Sequence, residues 1–311
     1  MSEAAKVDLV GVGLNATDTL IAVPWHPERG SKVESLEVSV LPGGQVASAV
    51  IACQSWGLQT RYVGKLGDDP AATLHRQEFA KAGVETQIIT AQRCASQQAF
   101  ILVDPDGERT VLWRRDENLG LHSQEVKREW IVNARALLVD GYDTAAARTA
   151  AGWAREAGIH VIADFDDAYP GIEKLIENVD CLIVSRDFPS KLCSETDLKK
   201  SLPHLQRRFE CELTAATLGT DGVLAWDGKQ FYYACAYKVP VVDTTGAGDI
   251  FHAGFIYGLL RDWPLQQRLD FACAAAALNC MAHGARGGIR PLEEIQNLIS
   301  TGSRYPRATS F

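Results

Sequence analysis

Short apolar runs that alternate with helical patterns most limit how this chain can fold. The runs with the composition of buried strands are VDLVGVG (7–13), TRYVGKLG (60–67), RALLVDG (135–141), IHVIADF (159–165) and CLIVS (181–185). Helical stretches such as GQVASAVIACQSWG (44–57) and AATLHRQEFAKAG (71–83) alternate with them and end at glycine. Because nearly continuous apolar strands joined by helices need cover on both faces, this order predicts an α/β fold with a mostly parallel sheet.

Two segments depart from this rhythm. SKVESLEVSV (31–40) alternates polar and apolar residues, and so does QQAFILVDPDGERTVLWR (97–114), in which DPDG is typical of a hairpin turn. Half-buried antiparallel strands do not belong inside a parallel sheet. We therefore predict a single domain over 1–311 with a small β lid, built from insertions at about 16–42 and 96–118.

Composition excludes several classes of partner. The formal net charge of −8 argues against general binding of nucleic acid or of an anionic membrane. We find no signal peptide at the N-terminus and no run near the ~18 apolar residues of a spanning helix. The eight cysteines contain no pair with CxxC spacing, so neither a zinc site nor a redox motif is indicated. We expect a reduced cytoplasmic protein.

The segment DTTGAGDIFHAGF (243–255) places small residues directly before an apolar helix. Gly246 and Gly248 allow unusual backbone angles, and the N–H groups at a helix N-terminus attract an anion. Asp249 adds a carboxylate at the same place. Two interpretations remain open. One is an aspartate N-cap after a glycine turn. The other is that Gly246, Ala247 and Gly248 hold a transferring phosphoryl group while Asp249 accepts the proton of an incoming hydroxyl.

The same segment resembles the C-terminal signature of the ribokinase-like (PfkB-type) carbohydrate kinases. LPGGQVASAVIACQSWGLQTRYVGKLGDD (41–69) resembles the N-terminal signature of that family. TLGTDGVLAW (217–226) resembles its nucleotide-binding strand and turn, and FACAAAALNCMAHGA (271–285) its helix beside the adenine. The four segments occur in the family's order and spacing, and they span essentially the whole chain.

This resemblance implies a three-layer α/β/α sandwich with a mostly parallel central sheet and a β lid. It implies ATP-dependent phosphorylation of a primary hydroxyl of a small sugar or sugar-like substrate, with Mg²⁺ and, in some members, a monovalent cation such as K⁺. It also implies a homodimer formed through the lid. An acidic keto-sugar of the 2-keto-3-deoxygluconate type and a nucleoside are the alternative substrates.

The resemblance also implies roles for individual residues. Asp249 matches the catalytic base, and Gly246, Ala247 and Gly248 match the backbone groups that hold the anion. The positions that match the family's substrate site are Asn15, Asp18, Gly43, Gly44 and Ser48. The positions that match its nucleotide site are Ser185, Thr217, Gly219, Thr220 and Gly222. The positions where some members bind a monovalent cation are Asp243, Thr245, Asn279 and Gly284.

The chain departs from the family pattern at the motif Asn-x-x-Glu, which helps to organise magnesium and phosphate. Here the segment 185–188 reads Ser-Arg-Asp-Phe. Asp187 replaces the missing glutamate only if the turn shifts. Ser48 stands where the family often has asparagine, Ala16 where ribokinases have asparagine, and Gln45 where they have lysine. These departures weaken ribose as the predicted substrate and put the usual magnesium arrangement in question.

The segment TVLWRRDEN (110–118) bears on the acidic-substrate alternative. On a strand, Trp113 and Arg115 share one face and Arg114 lies on the other. The resemblance to kinases of acidic keto-sugars suggests an arginine in this region, and we assign Arg114 provisionally to the substrate site. An inward arginine matches a carboxylate, and the other interpretation is that both arginines are solvated at the lid rim. Trp113 is a candidate to cover the substrate.

Two other functions compete with a kinase. GVGLNA (11–16) matches a dinucleotide fingerprint, but the residues that follow are β-branched and interrupted by proline, whereas that fingerprint needs a helix. A catalytically silent sugar- or nucleotide-binding protein of the same fold fits the altered 185–188 segment, although the intact Asp249 argues against it. His252 and His283 are expected to be structural.

Overall fold

The computed structural model of the chain describes residues 7–307, so part of the N-terminal segment judged for a signal peptide lies outside it. The strands are β1 Leu9–Val12, β2 Ala16–Ala22, β3 Glu37–Gly43, β4 Thr60–Leu66, β5 Glu85–Thr90, β6 Gln98–Val103, β7 Arg109–Arg114, β8 Ala136–Asp140, β9 His160–Phe165, β10 Cys181–Ser185, β11 Leu213–Thr217, β12 Val223–Trp226 and β13 Phe231–Ala234. The helices are α1 Gln45–Ser55, α2 Pro70–Ala82, α3 Thr144–Glu156, α4 Ile172–Ile176, α5 Phe188–Cys193, α6 Leu198–Phe209, α7 Ala247–Leu259, α8 Leu265–Asn279 and α9 Leu292–Thr301.

Nine strands form the central sheet, in the order β13-β12-β11-β10-β9-β8-β1-β4-β5. The strands from β11 to β5 in this order are parallel, whereas β12 and β13 pair antiparallel at one edge. Alternate residues of β8 show the layering: Leu138 packs with the cluster of α1, α7 and α8, and Leu137 and Val139 pack with the cluster of α3 and α6. The predicted α/β sandwich with a mostly parallel sheet is confirmed.

A second sheet has the order β3-β2-β6-β7, and we call it the lid. Its strands come from the two segments predicted as insertions, although β3 continues to Gly43. Leu20, Ile101 and Val103 are buried on its inner face. The side chains on its outer face are largely exposed and include Val38, Val40, Phe100 and Leu112. The predicted alternation therefore corresponds to a sheet with one packed face and one open face.

The chain after α8 differs from the helical prediction. The resemblance implied a helix over 271–285, whereas the helix ends at Asn279 and residues 280–288 form turns. The Asn279 amide donates to the carbonyl oxygens of Thr245 and Ala285 at 3.2 Å, and its oxygen accepts the N–H of Gly288 at 3.2 Å. These bonds to backbone groups replace a further helical turn. Among residues 7–307, no helix is long and apolar enough to cross a membrane.

Candidate active site

The carboxyl ends of the parallel strands, the N-terminus of α7 and the inner face of the lid enclose one cavity of about 390 Å³. Such a crevice at the carboxyl edge of an open α/β sheet is where ligands commonly bind in this class of fold. The lid contributes alternate residues of β2, β6 and β7, including Asp18, Ala99 and Val111. The cavity therefore lies between a rigid sheet edge and a separate small sheet.

The N-terminus of α7 lies at one side of the cavity. Gly246 precedes the helix with a left-handed φ of 76°, and Asp249 lies in the first turn. Gly246, Gly248 and Asp249 all line the cavity. Ala247 does not, and its N–H donates to the Thr244 carbonyl at 3.3 Å. The geometry therefore brings three of the four predicted catalytic residues to the cavity wall, with the positive end of the helix dipole beside a carboxylate.

Asp18 lies on β2 and projects into the cavity from the lid side. A Cβ on Gly43 would fall 2.0 Å from Asp18 Oδ2, and Gly44 has a φ of 95° with its Cβ position 2.6 Å from the Asn15 Cα. Side chains at these two positions would overlap their neighbours. The glycine pair thus allows the start of α1 to approach Asp18 and Asn15 closely.

Several polar atoms around this end of the cavity are buried without a hydrogen-bond partner among the described residues. They are both amide atoms of Asn15, Oε1 of Gln45, Oε1 of Gln97 and Nη1 of Arg286. Gln45 and Gln97 line the cavity, and Asn15 is flanked by two lining residues. Because an unpaired buried polar atom is costly, such a set indicates a ligand with several donors and acceptors. A polyhydroxylated molecule has that chemistry.

Arg286 is a site residue that sequence reasoning missed. Its Nη2 donates to the Gly43 carbonyl at 2.6 Å, and its Nε donates to Ser48 Oγ at 3.2 Å. Ser48 is fully buried, so it supports the arginine rather than lining the cavity. The available signal was a lone arginine in the small-residue segment HGARGG, close after a helix.

Buried carboxylates dominate the electrostatics of the cavity. Burial, together with the Asp249 carboxylate, raises the pKa of Asp18 to about 7, and Arg286 opposes the shift. Burial also raises the pKa of Asp249. Burial and the Asp249 charge hold the pKa of Asp164 well above its usual range. A general base gains proton affinity when its carboxylate is desolvated in this way.

Asp164, Asp166 and His252 are further cavity residues that sequence reasoning missed or treated as structural. Asp164 lies on β9, and Asp166 follows the end of that strand. The Nδ1 atom of the buried His252 ring lies 3.3 Å from Asp164 Oδ2 and 2.8 Å from the Gly248 carbonyl oxygen. The sequence signal was weak because Asp164 lies within an ordinary buried strand and Asp166 directly follows it. His283, in contrast, is exposed in the turns after α8.

The residues predicted to bind nucleotide lie at the ends of β10 and β11. Ser185 and Thr217 line the cavity. Gly219 and Thr220 lie in the 3₁₀ turn Gly219–Asp221 between β11 and β12, Gly222 follows that turn, and none of the three lines the cavity. Within this turn region, Arg186 contacts the Asp221 carboxylate and donates to the Leu218 carbonyl at 3.1 Å. This ion pair ties the ends of β10 and β11 together beside the cavity.

The residues predicted for a monovalent cation converge next to Gly246. Asp243 accepts the N–H of Thr245 at 2.8 Å and the N–H of Gly284 at 2.7 Å, so its carboxylate braces the loop. The Asn279 amide nitrogen lies between the carbonyl oxygens of Thr245 and Ala285. Thus the four predicted residues do cluster, but their polar groups are largely used in bonds to one another and to backbone.

The arginines of the lid do not lie as the sequence suggested. Arg114 shares the exposed outer face with Leu112 and is not a cavity residue. Arg115 is paired with Asp143 at 2.6 Å. Arg109, at the start of β7, is the lid arginine that lines the cavity, together with Trp113. Residues alternate in facing along a strand, so odd-numbered positions of β7 face inward and Arg114 faces away.

The raised pKa of Asp18 predicts how the binding of a sugar, the substrate class that the family resemblance implies, should depend on pH. Folding raises this pKa from 3.8 to about 7. Between these two pH values the folded protein binds a proton that the unfolded chain does not bind, so the contribution of Asp18 to the free energy of unfolding falls as pH rises. An ionised carboxylate accepts hydroxyl hydrogen bonds, whereas its protonated form must also donate. We therefore expect the affinity for the sugar to decrease as pH is lowered from 7, by up to about tenfold per pH unit.

Titration calorimetry of the sugar across this range would measure the effect. The Asp18→Asn variant keeps the shape, and it should bind the sugar more weakly with little dependence on pH. Constant affinity of the parent protein between about pH 5 and pH 8 would contradict an ionised Asp18 as the hydroxyl acceptor.

Comparison with known proteins agrees with this geometry. The family model described as pfkB family carbohydrate kinase matches residues 6–291. A Bacillus subtilis protein named 5-dehydro-2-deoxygluconokinase is 27% identical, with 97% of this chain and 98% of that protein covered.

Two solved structures share the fold. The ribokinase of Thermotoga maritima has a TM-score of 0.81 at 22% identity, covering 95% of this chain and 100% of its own. An Escherichia coli protein solved in complex with ATP and Mg²⁺ has a TM-score of 0.83 at 17% identity, covering 94% and 99%. The chain therefore belongs to the pfkB family of carbohydrate kinases and is an ATP-dependent sugar kinase.

Proposed function

We propose that this sugar kinase transfers the terminal phosphoryl group of ATP to a primary hydroxyl of a small sugar, with Asp249 as the general base. The observation that carries the proposal is the cavity itself. It holds Asp249 and the N-terminus of α7 on one side, and Asp18 with unpaired polar atoms on the other. A hydroxyl bound between them would have a proton acceptor and a phosphoryl site within the same small volume.

Each part of the cavity has a distinct task in this proposal. Asp18 and the amides of Asn15 and Gln97 bind hydroxyl groups of the sugar, and the glycine pair admits it. The N-terminus of α7 stabilises negative charge on the phosphoryl group as it is transferred. Asp249 orients the attacking hydroxyl and takes its proton. Mg²⁺ bound with ATP neutralises charge between the outer phosphates.

Replacement of the base provides the first test of this proposal. Asp249→Asn keeps the shape of the side chain and removes its proton affinity, and a positioned base contributes about 10²–10⁴-fold to rate. We expect turnover to fall by that order while ADP affinity stays close to that of the parent. A coupled assay of ADP release gives turnover, and calorimetry of ADP is the control. Turnover close to the parent value would rule out Asp249 as the base.

An acidic keto-sugar is the second candidate substrate, favoured by positive charge at the cavity. Arg109 lines the wall, and Arg286 has its Nη1 buried without a partner. A guanidinium matches the planar geometry of a carboxylate. Relatives from three Bacillus and Geobacillus species also carry the name 5-dehydro-2-deoxygluconokinase. A neutral sugar or a nucleoside would leave these charges poorly used.

The acidic-substrate candidate predicts that one lid arginine sets specificity. We expect Arg109→Ala to lose about tenfold or more of the preference for a keto-sugar acid over fructose. In free energy, this loss lies between the small contribution of an exposed charge pair and the cost of about 2–5 kcal/mol for breaking a buried one. Arg114→Ala, on the outer face of the same strand, is the matched control and should keep the preference.

The measurement is kcat/KM over a panel of keto-sugar acids, ribose, fructose and nucleosides. If neutral sugars react equally well in the parent and in both variants, the acid is not the substrate that these arginines select. If no compound of the panel is phosphorylated while ATP still binds, a silent binding protein becomes the better description.

A second copy of the chain is the partner that we propose for the outer face of the lid. Leu112 is 61% exposed, Val40 58% and Phe100 40%, and strand pairing places these three side chains in one row across the sheet. An apolar sheet face of this kind is typical of an interface. We expect a homodimer by analytical ultracentrifugation. Leu112→Lys should shift it towards monomer, whereas Leu112→Met should not, and a monomeric parent at micromolar concentration would contradict the proposal.

Potassium activation and a cytoplasmic location complete the proposal. The carbonyl oxygens of Thr245 and Ala285 converge beside Asp243 and Gly284, and carbonyl oxygens are ligands of monovalent cations. Equal turnover in potassium, sodium and a bulky organic cation would remove activation from the proposal. The use of ATP and the eight free cysteines support a cytoplasmic location.

A further inference from the structure

The place of the missing glutamate in the segment 185–188 does not hold a carboxylate. Phe188 occupies it, fully buried, with its ring centroid 5.8 Å from that of Phe165. Asp187 stands at the start of α5, exposed and outside the cavity wall. Neither residue can therefore present a carboxylate to a phosphate group or a metal ion in the cavity.

Two carboxylates from the neighbouring strand line the cavity instead. Asp164 lies on β9 next to β10, where strand pairing places it opposite Ile183. Asp166 lies two residues later, directly after the end of the strand. The hydroxyl of Ser185 donates to the Asp166 carbonyl at 3.3 Å, so the ends of the two strands are joined at this point. Both aspartates and Ser185 line the cavity wall.

Asp164 carries an unused acceptor. The residue is only 7% exposed, yet its Oδ2 has no hydrogen-bond partner among the described residues. An isolated buried carboxylate oxygen is costly unless a cation or a donor reaches it. His252 Nδ1 lies 3.3 Å from this oxygen but does not form a hydrogen bond with it. Asp164 also lines the cavity, so an unpaired oxygen on this residue indicates a ligand atom on the cavity side.

His252 lies beside this carboxylate and is itself held by two backbone oxygens. Its Nε2 lies 3.2 Å from the Ile183 carbonyl oxygen, and its Nδ1 lies 2.8 Å from that of Gly248. The ring is thus held between β10 and the first turn of α7, which also carries Asp249. Asp164 is therefore next to a ring that contacts the N-terminal turn where the phosphoryl group is proposed to bind.

We propose that Asp164 and Asp166 hold the magnesium ion of the nucleotide in this chain, in place of the glutamate that 185–188 lacks. This proposal rests on the proposed kinase function. Magnesium in kinases keeps several waters and is bound by one or two carboxylates together with substrate phosphates. Two aspartates thus suffice, although residues 7–307 contain no group of three or more His, Cys, Asp or Glu suited to a metal.

Binding of manganese and ADP tests the proposal without turnover. Mn²⁺ serves as the probe because it takes the same oxygen ligands as Mg²⁺ and gives an electron paramagnetic resonance signal. We expect the parent protein with ADP to bind Mn²⁺, and Asp164→Asn and Asp166→Asn to bind it roughly tenfold or more weakly, since even outer partners of a metal site contribute about 10–100-fold. ADP affinity in the presence of a chelator should stay unchanged.

Asp187→Asn is the matched control, because it neutralises an aspartate of the adjacent turn that the structure places outside the cavity. It should bind Mn²⁺ with ADP as the parent does. Asp166 is exposed, so its variant keeps the test decisive even if Asp164→Asn fails to fold. The proposal is overturned if both aspartate variants bind Mn²⁺ with parent affinity, or if only Asp187→Asn loses it.

The outcome also separates this proposal from the proposed function. If the parent phosphorylates a sugar and binds Mn²⁺ with ADP, but the two aspartate variants bind it equally well, only the metal assignment fails. If the parent neither binds ADP nor phosphorylates any sugar of the panel, the kinase function fails and the metal assignment fails with it.

Discussion

Three buried carboxylates face one cavity, and the rest of the site depends on how their charge is managed. Burial raises the pKa of Asp18, Asp164 and Asp249, and the Asp249 charge raises the pKa of Asp18 and of Asp164 further. Like charges in a desolvated space are unfavourable, so the fold sets Arg286 and the lid residue Arg109 against them. A cation arriving with a nucleotide, and a hydroxyl that donates to a carboxylate, relieve the same repulsion. The site is therefore arranged to be most stable when it is filled.

The parallel sheet makes this convergence possible. Strands β8 to β11 end at the same edge, so residues far apart in sequence meet there. Asp140 is fully buried at the end of β8 and accepts hydrogen bonds from two backbone N–H groups. One is that of Leu14, and the other is that of Tyr142, at a distance of 3.0 Å. It thereby holds the turn that leads from β1 into the lid strand β2. The position of Asp18 is thus set by the central sheet, even though Asp18 itself belongs to the lid.

The sequence could predict those features that depend on local pattern. Strand and helix order, the lid hairpin and the segment around Asp249 follow from periodicity, turn residues and small-residue runs. Arg286 could not be found in this way, because its guanidinium meets the Gly43 carbonyl across 243 positions of sequence. Alternation along β7 placed Arg114 and Arg115 on opposite faces. The strand ends at Arg114, however, and Arg115 forms an ion pair with Asp143. The inward arginine was therefore Arg109, at the other end of the strand.

In the altered segment 185–188, the packing of Phe188 in the core is linked to the orientation of two cavity residues. Phe188 fills the position of a family glutamate and packs on Phe165 in the cluster behind the sheet. Phe165 stands between Asp164 and Asp166, and its burial on that side turns its two neighbours towards the opposite face. The opposite face is the cavity side, where His252 contacts Asp164. Phe188 thus places no carboxylate at the cavity, and its packing against Phe165 helps to orient Asp164 and Asp166 towards it.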